Sequence, residues 1–404
     1  RDAPIMKDDE EGVEKLCDAV LTHDRPIEMR ADDSVLKVVG GRPLFVRRAR
    51  GYVPYPQKVP DGFGSKKPIL ALGGELKDTV SLFKHGYVVT SQFLGDLDEY
   101  ENRAYLEETV SHLTRLFDAE PALVVSDLHP DFHSTRIARR LGLPHLQVQH
   151  HHAHILAVML EHGLPPEAKV LGISWDGYGY GADGGAWGGE FLLAGYRSFE
   201  RYARFEPVRM PGGDRAARQP WRMALAHLHQ AGFGLEEALR IGGLRSIDRE
   251  EAAAVWAMIG LGTRSPLTSS CGRFFDAVSA IAGLAPASNE FEAEAAMRLE
   301  AAAAGGRAAP YPVAIGRNGP PFDVSFEGAV RRIVLDVRRG ADPARISARF
   351  HATLGEAAAR VARRAREETG IRTVALGGGV FLNADVPYQP SRMPITSYWM
   401  PRSA

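Results

Sequence analysis

The chain has 404 residues, of which 45% are hydrophobic and 25% charged, and this composition predicts a globular protein of two or three domains or lobes. Its 49 Lys and Arg residues and 50 Asp and Glu residues give a formal net charge of −1, which argues against nucleic acid as a main partner because binding phosphates requires a basic face. Two cysteines, Cys17 and Cys271, are too few for a disulfide framework or a multi-cysteine zinc site, and no apolar run reaches the roughly 20 residues that cross a bilayer.

Strands and helices alternate over much of the chain. A helical pattern at residues 10–23 precedes a linker rich in Pro and Gly, which includes Val53-Pro54-Tyr55-Pro56. The next strand-length runs are ILALGGEL, VVTSQF, ALVVSD, HLQVQ, KVLGISW and EFLLAGY, with helical patterns at YLEETVSHLTRLF and STRIARRLGL. Residues 220–304 are mostly helical, and a long amphipathic helix from residue 344 leads into the strand TVALGGGVF. This order predicts an α/β fold of two lobes.

Three of the predicted strands end in turns that contain glycine: Leu72-Gly73-Gly74-Glu75, Asp176-Gly177-Tyr178-Gly179-Tyr180-Gly181 and Gly377-Gly378-Gly379-Val380. Glycine at such strand ends lets backbone N–H groups approach a phosphate closely. Any one of these turns alone is better explained by local structure, and the Gly-Lys-Ser/Thr signature of a P-loop is absent. The three together resemble the phosphate clasp of the actin, hexokinase and sugar-kinase superfamily, in which two related lobes close on a nucleotide.

A run of histidines, Val148-Gln149-His150-His151-His152-Ala153-His154, opens a predicted helix directly after a strand. Residues four apart share a helix face, so His150 and His154 can present imidazole nitrogens to one metal ion. His151 and His152 point elsewhere and are expected to be structural. Two ligands do not complete a site, so a carboxylate or a substrate oxygen must supply more, and a surface cluster or a helix cap stays an alternative.

Further segments make the sequence resemble the HypF family of hydrogenase-maturation carbamoyltransferases. They are LALGGELKDT, SQFLGDLDEY, VVSDLHPDFHSTRIA, VQHHHAH, LGISWDGYGYGADGGAWGGEFL, MPGGDRAARQPWRMALAHL, SSCGRFFDAVSAIAGL and VALGGGVFLN. The resemblance runs from about Arg25 to Asn383. Residues 25–56 resemble the closing part of the family's YrdC-like α/β module, and the remainder resembles its transferase module, which shares a fold with the threonylcarbamoyl-transfer proteins of tRNA modification.

The resemblance predicts the domain organisation. Residues 1–60 would be the remnant of the YrdC-like domain and a linker, and residues 61–200 would form the first lobe of the transferase module, with the metal and phosphate loops. Residues 201–383 would form its second lobe, and residues 384–404 an atypical Pro-rich tail.

The resemblance also implies a two-stage reaction. Carbamoyl phosphate and ATP would yield a carbamoyl-adenylate in the YrdC-like module, and the transferase module would pass the carbamoyl group to the C-terminal cysteine of a partner, HypE. The resulting thiocarboxamide would become the cyanide ligand of a nickel–iron hydrogenase. The thiol belongs to the partner, so no nucleophilic cysteine is required here. We expect a cytoplasmic enzyme with neither nucleic acid nor a membrane as partner.

Roles for individual residues follow from the resemblance. His150 and His154 would hold a divalent metal, which is zinc, iron or magnesium, and these two histidines and Asp176 are the expected catalytic residues. Asp176 and the glycines of its loop, Gly177 and Gly179, would surround the phosphate and carbamoyl end. Asp214, Asp276 and Glu292 are candidates for the sugar and base of the nucleotide. The other nucleotide-binding candidates are Gly73, Gly74, Gly213, Gly378, Gly379 and Asn383.

The sequence departs from the family pattern near both ends. The family's acylphosphatase-like domain, its zinc fingers and most of its YrdC-like module would lie before residue 1, so we expect no unaided activation of carbamoyl phosphate. After GGGVFLN the family has a helix, a strand and an Asp-Gly-Gly turn that completes the metal site, whereas this chain has four prolines and no Asp-Gly-Gly, which excludes that helix and predicts an under-ligated site. Gly377 stands where the family commonly has serine. Two alternatives therefore stay open: carbamoyl transfer to a small-molecule hydroxyl, and an inactive remnant that still binds nucleotide or partner.

Overall fold

The computed structural model describes residues 13–39, 41–303, 308–386 and 396–399. They form two compact units that divide between Val148 and Gln149. Within the described ranges, no helix is both long enough and apolar enough to span a membrane.

The first unit contains a β-hairpin and a six-stranded sheet. Its strands are β1 (Val35–Val39), β2 (Arg42–Arg47), β3 (Gln57–Lys58), β4 (Ile69–Leu72), β5 (Val80–Lys84), β6 (Tyr87–Thr90), β7 (Leu123–Asp127) and β8 (His145–Val148), and its helices are α1 (Tyr100–Leu116) and α2 (His133–Arg140). Strands β1 and β2 pair with each other, and the larger sheet has the order β3-β6-β5-β4-β7-β8. Its core packs Leu70 and Val80 against Tyr105 and Leu106 of α1, as the apolar stripe of that helix predicts.

The helix predicted at residues 10–23 is wrong for residues 15–23, which form turns and irregular structure. Leu16 and Leu21, the apolar residues of the predicted stripe, are 85% and 102% exposed. A helix this short is not stable in water without a surface that buries its apolar face. The sequence contains the helical pattern, but among the described residues nothing buries these two leucines.

The second unit is built around a nine-stranded sheet. Its strands are β9 (Val170–Tyr180), β10 (Ala186–Ala194), β11 (Phe199–Phe205), β12 (Val208–Arg209), β13 (Leu267–Thr268), β14 (Ala314–Ile315), β15 (Phe322–Ser325), β16 (Thr373–Gly377) and β17 (Thr396–Trp399). Its helices are α3 (His150–Glu161), α4 (Asp214–Arg218), α5 (Pro220–Gln230), α6 (Leu235–Ala238), α7 (Arg249–Leu261), α8 (Cys271–Ile281), α9 (Glu294–Ala303), α10 (Glu327–Arg338) and α11 (Pro343–Thr369), with short 3₁₀ turns at Gly242–Leu244 and Gly379–Leu382.

The two larger sheets have the same topology. In the first unit the order β6-β5-β4-β7-β8 combines an antiparallel meander, β4 to β6, with two strands parallel to β4. In the second unit the order β11-β10-β9-β16-β17 repeats this arrangement, again with two parallel strands after the meander. The duplication confirms the predicted α/β fold of two related lobes, as in the actin, hexokinase and sugar-kinase superfamily. The described part of the tail, Thr396–Trp399, is a strand of this sheet and not a helix.

Aromatic side chains hold the central strand β9 in the core of the second unit. Trp175 is fully buried and stacks on Phe381, with ring centroids 5.4 Å apart and an interplanar angle of 11°. It also packs against Phe191 of the neighbouring strand β10 and Phe205 of β11, the next strand of the sheet. Because β9 shares this core with residues near the end of the chain, residues 149–200 fall in the second unit, whereas the sequence analysis divided the lobes after residue 200.

Candidate functional site

Helix α3 and strand β9 bring the predicted histidines and Asp176 together. The helix starts at His150, and the side chain of Gln149 caps it by accepting a hydrogen bond from the backbone N–H of His152 at 2.9 Å. A side chain at Gly172 of β9 would put its Cβ 2.6 Å from Ile155, so glycine there permits the close approach of helix and strand.

The turn predicted at Asp176–Gly181 begins later than expected, because β9 continues through Tyr180. Trp175 pairs with Gly189 and Gly179 pairs with Trp187, so the three residues 176–178 lie opposite Gly188 alone. This irregularity is a β-bulge, which bends a strand and redirects a side chain. The bulge therefore accounts for the position of Asp176 at the histidine helix.

Three side-chain atoms converge at this point. The Oδ2 atom of Asp176 is 2.9 Å from Nε2 of His154 and 3.4 Å from Nε2 of His150, and the two Nε2 atoms are 3.1 Å apart. The side chain of His154 is 34% exposed, that of His150 24% and that of Asp176 21%, so a ligand from solvent can reach all three. Two imidazole nitrogens and one carboxylate oxygen form a donor set that suits Zn²⁺ or Fe²⁺ better than Mg²⁺, which prefers oxygen ligands.

The sequence pattern predicts Asp176 at the phosphate and carbamoyl end, and the structure also makes it a third possible metal ligand. The available signal was its position on the strand that packs against the histidine helix. Burial raises the pKa of the Asp176 carboxyl, but hydrogen bonds from His150 and His154 outweigh that effect and hold the pKa well below its usual range. Asp176 is therefore ionised at neutral pH and can act as an anionic ligand.

Glycines pack closely around the Asp176 segment. The backbone N–H of Gly177 donates to Oδ1 of Asp176 at 2.7 Å. A Cβ at Gly179 would lie 2.4 Å from the ring of His151, and one at Gly378 would lie 2.3 Å from the carbonyl oxygen of Trp175. A Cβ at the next residue, Gly379, would lie 3.1 Å from Oδ1 of Asp176. The second and third predicted glycine turns thus meet at Asp176.

The N-terminus of α8 also contacts this segment. This contact is not predicted by the sequence pattern. Ser270 caps the helix by accepting a hydrogen bond from the N–H of Arg273 at 3.1 Å. Its hydroxyl also donates towards the carbonyl oxygens of Asp176 at 3.0 Å and Gly177 at 2.7 Å. The positive end of the helix dipole is therefore directed at the site, which favours an anion there. The sequence signal was the Ser-Ser pair immediately before an apolar helix.

Asp276 lies one turn further along α8 and is fully buried. Its carboxylate is 2.9 Å from Nε of Arg273. Burial raises the pKa of Asp276 to about 6, although the charge of Arg273 opposes the shift. Cys271 is also fully buried, and burial together with the charge of Asp176 raises the pKa of its thiol well above the usual value. Cys271 is thus a protonated core residue.

The remaining predicted residues lie elsewhere. Gly73 and Gly74 follow β4 in the first unit, where a Cβ at Gly73 would lie 2.4 Å from the buried carboxylate of Asp78. In the second unit, Gly213 caps the short helix α4 with a φ of 57°, and Asp214 and Glu292 are exposed.

Asn383 is buried after the 3₁₀ turn that follows β16. Its amide nitrogen lies 2.9 Å from Nε2 of His351, and its Oδ1 accepts from the N–H of Asp385 at 2.9 Å. Both ends of the amide therefore have partners inside the protein.

The first unit contains a second group of possible metal ligands, Glu75, Asp98 and His133, with ligand atoms within 4.8 Å of one another. Glu75 accepts hydrogen bonds from the backbone N–H of His133, at 2.8 Å, and from its ring. These bonds cap α2, so the contact between Glu75 and His133 is explained without an ion.

The sequence matches two protein families and several curated proteins. The family described as "HypF Kae1-like domain" matches residues 64–161, and the family described as "Carbamoyltransferase, Kae1-like Domain, second subdomain" matches residues 172–387. "Carbamoyltransferase HypF" of Rhodobacter capsulatus is 41% identical over 95% of this chain and 50% of its own length, and that of Synechocystis sp. is 37% identical over 92% and 49%. A "Carbamoyltransferase HypF homolog" of Cupriavidus necator is 37% identical over 81% of this chain and 84% of its own length.

Solved structures agree with these matches. A full-length HypF in a phosphate- and nucleotide-bound form has a TM-score of 0.89 and 35% identity, covering 98% of this chain and 62% of that one. HypF of T. kodakarensis has a TM-score of 0.86 and 31% identity over 98% and 53%. The chain spans about half the length of the first curated relatives it matches.

Proposed function

The chain belongs to the HypF carbamoyltransferase family, and on this premise we propose that it carries the carbamoyl-transfer step of hydrogenase maturation. The donor is a carbamoyl-adenylate, and the acceptor is the C-terminal cysteine of a HypE-like partner. The donor is made from carbamoyl phosphate and ATP, a step that we assign to the family's YrdC-like module. Residues 25–56 resemble the closing part of that module.

The observation that carries the proposal is the convergence of His150, His154 and Asp176 beside the N-terminus of α8. The three side chains supply ligands for a cation, and the helix terminus and glycine N–H groups attract an anion. An acyl-adenylate needs both, because its carbonyl oxygen gains negative charge during transfer and its phosphate leaves as an anion. A zinc or iron ion held by these residues would neutralise part of that charge.

The proposed step exchanges one bond for another. The sulfur of the acceptor thiolate forms a bond to the carbamoyl carbon, and the bond from that carbon to the adenylate phosphate oxygen breaks. AMP leaves with the electron pair of the broken bond. Gly378 and Gly379 pack closely on Trp175 and Asp176, and we assign the phosphate end of the donor to the backbone N–H groups of these two glycines.

Fewer contacts support an assignment for the sugar and base of the nucleotide. We propose that Asp276, one turn inside α8, and the exposed Asp214 and Glu292 approach the sugar and base. Four further residues remain candidates for nucleotide binding on the family resemblance: Gly73, Gly74, Gly213 and Asn383. A cytoplasmic location is part of the proposal, because the acceptor cysteine must be reduced to act as a nucleophile.

The test supplies the purified chain with Zn²⁺, synthetic carbamoyl-adenylate and a peptide that ends in cysteine, and it follows the thiocarboxamide by mass spectrometry. We expect product with the wild-type chain, a loss of on the order of a hundredfold or more in rate with His154→Ala, and no change with the exposed control His23→Ala. Transfer to a sugar hydroxyl but not to the thiol would replace the proposal with O-carbamoyl transfer. Nucleotide binding without product on any acceptor would identify an inactive remnant.

A further inference from the structure

A basic groove runs between helices α1 and α2 in the first unit. Residues at positions i, i+3, i+4 and i+7 of each helix, together with Arg139 of α2, line the groove, which has a volume of about 570 Å³. It is lined by Tyr100, Arg103, Ala104 and Glu107 of α1 and by His133, Arg136, Ile137, Arg139 and Arg140 of α2. None of these residues has a role in the proposed carbamoyl transfer.

The lining concentrates positive charge. Four arginines and one glutamate give the groove a net charge of +3, whereas the whole chain has a net charge of −1. The only carboxylate of the lining, Glu107, pairs with Arg140, but the two side chains are 54% and 69% exposed. Arg136 likewise pairs with Asp131, which is not part of the lining, at 3.4 Å, and these two side chains are 56% and 74% exposed. Solvent-exposed ion pairs contribute little free energy, so incoming carboxylates can replace Glu107 and Asp131 at small cost.

One of the arginines is held in place by the protein. Nδ1 of the His133 ring contacts a carboxylate oxygen of Glu75, and Nε2 accepts a hydrogen bond from Nη1 of Arg103 at 2.8 Å, because a guanidinium group can only donate. The guanidinium of Arg103 also donates to the carbonyl oxygen of Asp98 at 3.4 Å. These two contacts orient the guanidinium of Arg103 in the lining of the groove.

The spacing of the arginines matches an extended polypeptide. Arg136 and Arg140 are one helical turn apart, which is about 6 Å along the axis of α2. Alternate side chains of an extended strand repeat at about 6.6 Å and point to the same side. Guanidinium groups bind carboxylates through two parallel hydrogen bonds. The exposed ring of Tyr100 and the exposed methyl group of Ala104 offer contacts to the intervening residues.

From this geometry we propose that the groove between α1 and α2 binds an extended acidic segment of a partner protein, with carboxylates at alternate positions. The inference goes beyond carbamoyl transfer and uses only residues of the first unit. A failure of one proposal therefore leaves the other untouched.

The experiment measures binding of a fluorescein-labelled peptide of alternating Glu and Ala to the full chain by fluorescence anisotropy at low salt. We expect saturable binding, weakened on the order of tenfold in the double variant Arg136→Gln/Arg140→Gln. The matched control, Arg332→Gln/Arg339→Gln, removes two exposed arginines of the second unit and should bind like the wild type. The variant Glu107→Gln should bind severalfold more tightly, because it removes the competing carboxylate, and misfolding cannot produce that gain.

Three outcomes would overturn the proposal. The first is equal binding of a peptide of alternating Gln and Ala, which would show that charge is not recognised. The second is unchanged affinity in the Arg136→Gln/Arg140→Gln variant, or equal weakening in the control variant, either of which would place the peptide elsewhere. The third is complete displacement of the peptide by inorganic phosphate at concentrations near those of the protein, which would make the groove a phosphate site.

Discussion

The carboxylate of Asp176 contacts both imidazoles, so its charge is central to the candidate metal site. An Asp176→Asn variant keeps the shape of the side chain and removes that charge. We expect its affinity for Zn²⁺ to fall on the order of a hundredfold, measured by competition with a coloured chelator. Asp61→Asn, at a side chain that is 97% exposed, should leave zinc affinity unchanged. Equal zinc affinity in wild type and Asp176→Asn would place the ion elsewhere.

Asp276 should make stability depend on pH. Burial raises its pKa in the folded state to about 6, above the usual value near 3.8, so between those pH values the folded state keeps a proton that the unfolded state has lost. Stability from this group is therefore complete below about pH 4 and falls as the pH rises towards 6. The cost above pH 6 is about 3 kcal/mol, an order-of-magnitude figure from a shift of about two pKa units.

The variant Asp276→Asn tests this pH dependence by urea unfolding at pH 4 and pH 8. Because the amide does not ionise, the free energy of unfolding of the variant relative to wild type should rise by up to about 3 kcal/mol between the two pH values. The ion pair with Arg273 forms only where Asp276 is ionised, and its favourable effect is already contained in the pKa of about 6. The control Asp61→Asn should show no such difference, and a parallel shift of wild type and Asp276→Asn would refute a raised pKa at Asp276.

Gly378 combines a backbone conformation that suits glycine with a lack of space for a side chain. Its φ is 100° and its ψ 161°, and a Cβ would lie 2.3 Å from the carbonyl oxygen of Trp175. We expect Gly378→Ala to lower the free energy of unfolding by more than about 3 kcal/mol, since strain and collision add. The control is Gly340→Ala, because Gly340 has a φ of 69° but open space around a Cβ. This variant should lose only the free energy of the unfavourable backbone conformation, about 1 kcal/mol. Equal losses in the two variants would show that Trp175 yields to the new methyl group.

At the scale of the element, the N-terminus of α8 has two tasks. Ser270 caps the helix and also binds the carbonyl groups of Asp176 and Gly177. Ser270→Ala should therefore cost about 1 kcal/mol in unfolding free energy and also weaken zinc affinity several-fold, as loss of an orienting contact does. The matched control is Asp248→Ala, which removes the cap of α7 and should cost similar stability at unchanged zinc affinity. Unchanged zinc affinity in Ser270→Ala would reduce Ser270 to a helix cap.

Sequence reasoning identified the elements better than their contacts. The four-residue spacing of His150 and His154 and the apolar stripe of α11 are local patterns, and the structure has helices at both places. By contrast, Ser270 lies 94 residues beyond Asp176 in the chain, and the bulge at residues 176–178 depends on pairing with β10. Contacts of this kind arise from the tertiary fold and leave no periodic signal in the sequence.

At the scale of the molecule, the two sheets show a duplication that the sequence does not reveal as a repeat. Their strands follow the same order and directions, while the inserted helices differ in number. Topology can persist when side chains diverge, because pairing of backbone groups and alternation of buried residues are enough to keep it. The first strands of the two meanders differ in what they carry, because β4 is followed by Gly73 whereas β9 itself contains Asp176.

Metal binding at the candidate site should change amide hydrogen exchange in the second unit and not in the first. A ligand that binds only the folded state stabilises it by about 2.7 kcal/mol at a concentration one hundred times its dissociation constant. With the candidate site made entirely from α3 and β9, Zn²⁺ should slow amide hydrogen exchange in these two elements and leave β4 to β8 unchanged, as read by mass spectrometry. Removal of the ion with a chelator should reverse the effect, and His154→Ala should abolish it. Slower exchange around Glu75, Asp98 and His133 would instead assign the ion to the first unit and separate it from the histidine helix.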